Sequence, residues 1–229
     1  MNTSLHPLIE NAQLLAFDLD GTLIDSVPDL ASAVDKMLLD LQRAEAGEVS
    51  VRQWVGNGSL ALVKRALANN ISGDQQISDE DKTFQQAHAL FLKHYQACKG
   101  EKTVCYDGIF ALLDTAKAKP IPMVLITNKP YQFVPEILQE LNLEHYFDLV
   151  LGGDSLSEKK PSGLPLLLAC EQLNIAAEHG VMIGDSITDI NAGKNAGFKT
   201  IAVTYGYDHG KPVQECDPDL VVDSLAELV

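Results

Sequence analysis

Short apolar runs that alternate with helix-forming segments constrain the fold of this chain more than any other feature. Six runs read as buried strands, at residues 14–17, 123–126, 149–151, 181–183, 200–203 and 220–222. Four segments with helical patterns lie between them, at residues 109–118, 133–141, 164–173 and 187–196. This alternation predicts an α/β protein whose parallel, doubly wound sheet carries helices on both faces.

A long insertion separates the first two candidate strands. A parallel crossover needs only about a dozen residues, whereas residues 18–122 lie between these two strands. Apolar residues in the insertion recur at helical spacing: Leu30, Val34, Met37, Leu38 and Leu41, then Leu60, Val63 and Leu67, then Phe84, Ala87, Phe91 and Tyr95. We therefore expect a small helical cap domain over residues 25–100, inserted into a core domain of residues 1–24 and 101–229.

Two carboxylates directly follow the first candidate strand, in the run Asp18-Leu19-Asp20-Gly21-Thr22-Leu23-Ile24-Asp25-Ser26. Ligands of open α/β sheets bind outside the carboxyl ends of the strands. Asp18 is therefore a candidate nucleophile or metal ligand. A surface Asp-rich turn or a capped helix start is the alternative, but it does not explain two acids directly after a buried strand.

Polar residues also follow the second and third candidate strands. Thr127-Asn128 offers a hydroxyl, an amide and backbone N–H groups that suit phosphoryl oxygens, although Thr-Asn is also an ordinary turn. Lys159-Lys160 is either a solvated surface pair or the source of positive charge for an anionic substrate. Its place between core strands, in a chain with 32 acidic and 17 basic residues, favours the second interpretation.

Another pair of acids follows the fourth candidate strand. Asp185 comes at the strand end, and Asp189 lies four residues on and so on the same helical face. A single acid near a helix start is usually a cap. Two acids directly after an apolar strand favour a site for a hard cation such as Mg²⁺, which prefers oxygen ligands.

These four strand ends, in this order, resemble the four motifs of the haloacid dehalogenase-like hydrolases, and the resemblance covers the whole chain. Three further stretches are similar to the phosphoglycolate phosphatase branch: residues 51–58 (VRQWVGNG), 126–130 (ITNKP) and 152–154 (GGD). The resemblance implies a Rossmann-like core and a Mg²⁺-dependent phosphatase. The chain departs from the pattern at Asp107, where proline is frequent, and at Ser162-Gly163-Leu164-Pro165, where a second proline commonly comes sooner.

The resemblance also implies roles for the residues at the strand ends. Asp18 attacks phosphorus and forms an aspartyl-phosphate, and Asp20 protonates the leaving group and then activates water. Mg²⁺ is held by Asp18, Asp185 and the backbone carbonyl of Asp20. The phosphate is bound by Lys160, Thr127 and Asn128, while Asp189 orients a metal-bound water or Lys160.

Substrate selection is expected to lie in the cap. Arg52 is a candidate partner for a substrate carboxylate, and Asn57 lies in a Gly56-Asn57-Gly58 turn that can bring backbone close to the substrate. A surface arginine and a plain turn between helices are the alternatives.

Composition restricts the partners. A formal net charge of −15 argues against nucleic acids and anionic membrane surfaces, and no apolar run approaches the roughly 20 residues of a membrane helix. Residues 1–13 show no signal-peptide pattern and the four cysteines show no metal-ligand spacing, so we expect a cytoplasmic protein. A small phosphorylated metabolite is the expected partner of a monomer or homodimer.

Other functions use the same core. A phosphomutase similar to β-phosphoglucomutase, a pyrophosphatase or a 5′-nucleotidase would share these motifs, because the motifs determine phosphoryl transfer and not the substrate. A non-catalytic protein that binds a phosphorylated partner would be expected to have lost one of Asp18, Asp20, Lys160 or Asp185, and all four are present. A dehalogenase would be expected to lack Asp20.

Overall fold

The computed structural model describes residues 5–207 and 212–229, and a six-stranded parallel sheet lies at its centre. The strands of the described residues are β1 (Leu14–Phe17), β2 (Ile24–Asp25), β3 (Val104–Cys105), β4 (Met123–Ile126), β5 (Leu149–Leu151), β6 (Gly180–Gly184), β7 (Lys199–Val203) and β8 (Leu220–Val222). The order in the sheet is β5-β4-β1-β6-β7-β8, and every neighbouring pair is parallel. The predicted α/β, doubly wound fold class is confirmed.

Helices lie on both sides of the sheet and in the insertion. They are α1 (Pro7–Glu10), α2 (Val27–Asp40), α3 (Gly47–Trp54), α4 (Ser59–Ala68), α5 (Gly73–Gln76), α6 (Lys82–Cys98), α7 (Ile109–Ala118), α8 (Val134–Glu140), α9 (Leu164–Leu173) and α10 (Ile187–Ala196). Within the described part of the chain, none is long and apolar enough to cross a membrane.

The central strands are buried on both faces, as parallel strands covered by helices require. Along β1, Leu15 and Phe17 pack into one apolar cluster, and Leu14 and Ala16 pack into another on the opposite face. All four β1 residues have no exposed surface. This burial explains why the strands read as continuous apolar runs and why polar residues appear only where they end.

The inserted helices α2 to α6 lie between β2 and β3. Residues Phe84, Ala87, Phe91 and Tyr95 form the buried face of α6, and α2 buries Leu30, Val34, Met37 and Leu38. Helix α2 also anchors the returning chain, because the buried Asp29 carboxylate accepts hydrogen bonds from the backbone of Lys102 and Thr103. The boundaries of the cap at residues 25 and 100 stay a prediction.

Strands β2 and β3 pair antiparallel at the entrance and exit of the insertion, with Ile24 opposite Cys105. The sequence pattern did not indicate this ladder, because two residues are too few to show an alternation of apolar and polar side chains. The predicted helix at residues 133–141 also differs: a 3₁₀ turn at Tyr131–Phe133 precedes α8.

Candidate active site

The carboxyl ends of β4, β1 and β6 bring polar side chains together at one edge of the sheet. These strands are neighbours, so Thr127 after β4, Asp18 after β1 and Asp185 after β6 converge. Lys160 reaches the same place from the loop that follows β5 and is 2% exposed. The crevice outside the carboxyl ends of the strands is where open α/β sheets bind ligands.

Three buried carboxylates form a cluster at this edge. Oxygen atoms of Asp18, Asp185 and Asp189 all lie within 4.8 Å of one another. Thr22 Oγ1 donates to one oxygen of Asp185 at 2.9 Å, and the backbone N–H of Tyr207 donates to the other at 2.6 Å. Such an all-oxygen donor set is what hard divalent cations prefer.

Lys160 offsets part of this negative charge. Its Nζ lies 2.7 Å from Asp18 Oδ1 and 2.6 Å from Asp189 Oδ1. The contact with Asp18 is a buried ion pair. Both oxygens of Asp189 are engaged, because Oδ2 accepts from the backbone and hydroxyl of Ser186.

The crowding of charges perturbs the pKa values in the cluster. Burial raises the pKa of Asp18 to about 7, a rise that Lys160 reduces and Asp189 increases. Burial and the carboxylates of Asp189 and Asp18 raise the pKa of Asp185 well above its ordinary value. Burial alone would lower the pKa of Lys160, but the two carboxylates outweigh it and the net pKa is raised. With one ammonium among three carboxylates, the residues fit a divalent cation.

Asp20 is held by a different lysine. Lys129 Nζ lies 2.8 Å from Asp20 Oδ1 and 3.0 Å from Oδ2, and the Ser26 hydroxyl also donates to Oδ1. The Lys129 side chain is 3% exposed. Sequence reasoning missed Lys129 as a site residue. Its position directly after Thr127-Asn128, at a strand end, is the signal that could have found it.

Thr127 and Asn128 lie at the end of β4 and line the cavity above Asp18. Thr127 Oγ1 accepts a hydrogen bond from the backbone N–H of Lys129 at 3.2 Å. Asn128 Nδ2 donates to the backbone oxygen of Lys160 at 3.1 Å, while its buried Oδ1 has no hydrogen-bond partner. Asn128 thereby ties the loops after β4 and β5 together.

A cavity with an empty volume of about 460 Å³, including its open mouth, lies between the sheet edge and the inserted helices. The core side of the cavity presents Asp18, Asp20, Thr127, Asn128 and Lys129. The inserted helices contribute mainly apolar side chains, among them Leu30, Val55, Leu62, Phe91 and Tyr95.

Arg52 does not line this cavity. Its guanidinium lies 2.9 Å from Asp25 and 3.2 Å from Glu48, and it packs over the ring of Tyr207 at 5.5 Å from the centroid. These contacts join α3 to the β2 segment. The structure therefore does not bring Arg52 together with the strand-end residues, and its predicted contact with substrate stays a prediction.

Asn57 does not line the cavity either, and its Nδ2 lies 3.4 Å from Thr188 Oγ1 on α10. Its side-chain oxygen accepts from Arg65 at 2.9 Å, and its backbone oxygen accepts from Lys159 at 2.9 Å. Arg65, which sequence reasoning did not single out, also donates to the backbone oxygen of Trp54 at 2.7 Å and to Asp74 at 2.9 Å. The buried arginine thus fixes both ends of the loop that carries Val55, Gly56 and Gly58 to the cavity.

Comparisons with known proteins agree with this arrangement. The family model described as haloacid dehalogenase-like hydrolase matches residues 15–203. The phosphoglycolate phosphatase of Psychrobacter arcticus is 46% identical over 218 residues, which cover 95% of this chain and 94% of the relative. That of Pseudomonas putida is 44% identical over 217 residues, covering 95% and 78% respectively. A crystal structure of a predicted phosphoglycolate phosphatase from Haemophilus somnus superposes with a TM-score of 0.86 at 32% identity, covering 95% and 96% of the two chains.

Proposed function

Because the chain belongs to the haloacid dehalogenase-like hydrolase family, we propose that it is a Mg²⁺-dependent phosphatase that converts 2-phosphoglycolate to glycolate and phosphate. The observation that carries the chemistry is that Asp18 and Asp185, at the ends of the adjacent strands β1 and β6, meet Lys160 from the loop after β5. The similarity to phosphoglycolate phosphatases across 95% of the chain supports the substrate.

Asp18 is the nucleophile in this proposal. Its carboxylate attacks the phosphorus in line and forms an aspartyl-phosphate, which water then hydrolyses. The carboxylate lines the cavity, where its Oδ1 forms an ion pair with Lys160. Lys160 and a bound cation would favour the ionised form of Asp18, in which a carboxylate needs no general base to be nucleophilic.

Asp20 carries protons. It donates one to the leaving alkoxide and then accepts one from the attacking water. Ser26 and Lys129 fix its carboxyl group from two sides, so the proton is delivered from a defined position. Positioning of this kind is worth more to the rate than proximity alone.

Asp18, Asp185 and the backbone carbonyl of Asp20 are the proposed ligands of Mg²⁺. When bound, the cation supplies positive charge that stabilises the transferring phosphoryl group. Asp189 contacts Lys160 at 2.6 Å and is assigned the role of orienting that lysine.

Phosphate binding needs further positive charge and hydrogen-bond donors. A phosphate oxygen about 4 Å from a carboxylate is repelled by about 4 kcal/mol per pair of unit charges at an effective dielectric constant of 20. Lys160 is the proposed cation on the phosphoryl group. The Thr127 hydroxyl and the backbone N–H of Asn128, in the loop that lines the cavity beside it, are the proposed hydrogen-bond donors.

The helical insertion over residues 25–100 acts as the lid in this proposal. It supplies the apolar wall that excludes water from the reacting groups. Direct contact of Arg52 or Asn57 with substrate, a cytoplasmic location, and a monomeric or homodimeric state stay predictions from the sequence.

A phosphate-release screen with Mg²⁺ tests the proposal. The substrates are 2-phosphoglycolate, nucleoside monophosphates, sugar phosphates and pyrophosphate, each measured by kcat/KM. The expected result is a clear preference for 2-phosphoglycolate. A preference for another member contradicts the substrate assignment, and conversion of a sugar phosphate to its isomer without phosphate release identifies a mutase instead.

A further inference from the structure

The polar side chains on the far wall of the cavity are few, and one of them is a hydroxyl donor that lacks an acceptor among the described residues. Tyr95 lies on α6, is 1% exposed and lines the cavity, and no described residue accepts a hydrogen bond from its buried hydroxyl, since the neighbouring Lys129 can only donate. Buried hydroxyl groups are normally paired, because leaving a donor unsatisfied costs free energy. An acceptor supplied by a ligand would satisfy this one.

The Tyr95 ring is held firmly in place. It stacks on Phe91 with centroids 5.7 Å apart and meets Phe133 edge-on at 5.0 Å. Burial raises the pKa of Tyr95 to about 12, although Lys129 opposes the rise, so the phenol keeps its proton near neutral pH. The hydroxyl is therefore a fixed, neutral hydrogen-bond donor on the cavity wall.

Lys129 lies next to this donor. Its Nζ is 4.9 Å from the centroid of the Tyr95 ring and 2.8 Å from Asp20. Among the described residues that line the cavity, Lys129 is the only lysine or arginine. Lys160 is enclosed between Asp18 and Asp189, and Arg52 is engaged with Asp25 and Glu48.

We infer that Lys129 and Tyr95 together bind the carboxylate of the substrate and so select phosphate esters of short 2-hydroxy acids. This inference rests on the proposed function, because it assumes a phosphoryl group at Asp18. In such an ester the carboxylate carbon is two bonds from the oxygen that Asp20 protonates. One ammonium beside Asp20 can therefore contact the carboxylate, and the Tyr95 hydroxyl donates to its other oxygen.

The rest of the wall disfavours larger polar substrates. The side chains of Leu30, Val55, Leu62 and Phe91 offer no hydrogen bonds, and the Ser59 hydroxyl is already paired with His88 at 3.0 Å. Sugar hydroxyls placed against this wall would be buried without partners. A two-carbon acid leaves only its carboxylate to satisfy.

The test compares 2-phosphoglycolate with 2-hydroxyethyl phosphate, which has the same chain length and a hydroxymethyl group in place of the carboxylate. The readout is the ratio of kcat/KM for the two substrates. Tyr95→Phe keeps the ring and its packing, and should lower the ratio by about 10- to 100-fold, as expected for loss of a hydrogen bond to a charged group. The loss should appear mainly as a higher KM for 2-phosphoglycolate.

Two further variants complete the test. Lys129→Met removes the support of Asp20 and should slow both substrates, but it should also lower the ratio at least as much as Tyr95→Phe. Tyr106→Phe is the matched control, because the Tyr106 hydroxyl is also buried but does not line the cavity. It should leave the ratio unchanged. Urea unfolding followed by the fluorescence of Trp54 checks that each variant folds.

The outcomes separate the inference from the function on which it rests. A wild-type enzyme that does not favour 2-phosphoglycolate over 2-hydroxyethyl phosphate contradicts both. If the wild-type enzyme favours 2-phosphoglycolate but the ratio of kcat/KM values is unchanged in Tyr95→Phe or in Lys129→Met, the proposed function is retained and the inference is wrong.

Discussion

Removing the Lys160 ammonium should cause a large loss of stability, because this charge is buried and contacts two carboxylates. Lys160→Met keeps the length of the side chain and deletes a charge whose Nζ lies 2.7 Å from Asp18 and 2.6 Å from Asp189. Each contact corresponds to about 6 kcal/mol of attraction at an effective dielectric constant of 20, before desolvation is subtracted. Breaking a buried pair by removing one partner costs about 3–5 kcal/mol, and we expect a loss of unfolding free energy in this range.

The loss should depend on pH in a defined direction. Burial raises the pKa of Asp18 to about 7 even though Lys160 lowers it, so removing the lysine raises this pKa further. A carboxyl group with a higher pKa in the folded than in the unfolded state binds more protons when folded. Stability therefore falls as pH rises from about 4 through the folded pKa. The deficit of Lys160→Met should be smaller at pH 5 than at pH 8.

The assay is urea unfolding at pH 5 and pH 8 with a chelator present, followed by circular dichroism and by the fluorescence of Trp54, the single tryptophan. Lys159→Met is the matched control. Lys159 Nζ donates to the backbone oxygen of Asn57 at 2.9 Å, so its replacement should cost about 1 kcal/mol. Equal losses in the two variants, or a Lys160→Met deficit that does not grow with pH, would refute the reasoning.

Three further predictions concern the nucleophile, the cation and the close contact between the cap at Gly58 and the core loop at Asn128. Asp18→Asn should abolish phosphate release, because it removes the nucleophile. It should not lower the urea midpoint, because it also removes one of three crowded buried charges. Undiminished turnover would contradict the assignment of Asp18 as nucleophile. A chelator should abolish phosphate release, and added Mg²⁺ should restore it. Hydrolysis that persists without metal would contradict the cation site. Gly58→Ala should lower kcat/KM for 2-phosphoglycolate at least tenfold, since a Cβ at φ 88° would lie 2.8 Å from the backbone oxygen of Asn128. Gly47→Ala, at φ 75° with nothing within 4 Å of the added Cβ, should cost only about 1–2 kcal/mol of stability and leave kcat/KM unchanged.

The sequence predicted most of the sheet because strands buried on both faces consist of short, continuous apolar runs. The bounds of β4, β5 and β8 match the predicted runs, and β6 and β7 are longer only at their ends. The β2–β3 ladder was missed because its strands have two residues each and depend on pairing between segments far apart in the chain. Local patterns carry no information about such pairing.

The sequence by itself determined which polar residues lie at the strand ends. Because the sheet is parallel, it thereby also determined that Asp18, Thr127 and Asp185 converge. Only the tertiary structure decided where the long side chains go. Lys129 contacts Asp20, Arg52 contacts Asp25 and Glu48, and Tyr95 lines the cavity with no acceptor for its hydroxyl among the described residues. The physical reason is that a strand end fixes the position of a short side chain, whereas a lysine, arginine or tyrosine reaches several ångströms further. Its terminal group is placed by the charges and rings that distant segments pack around it.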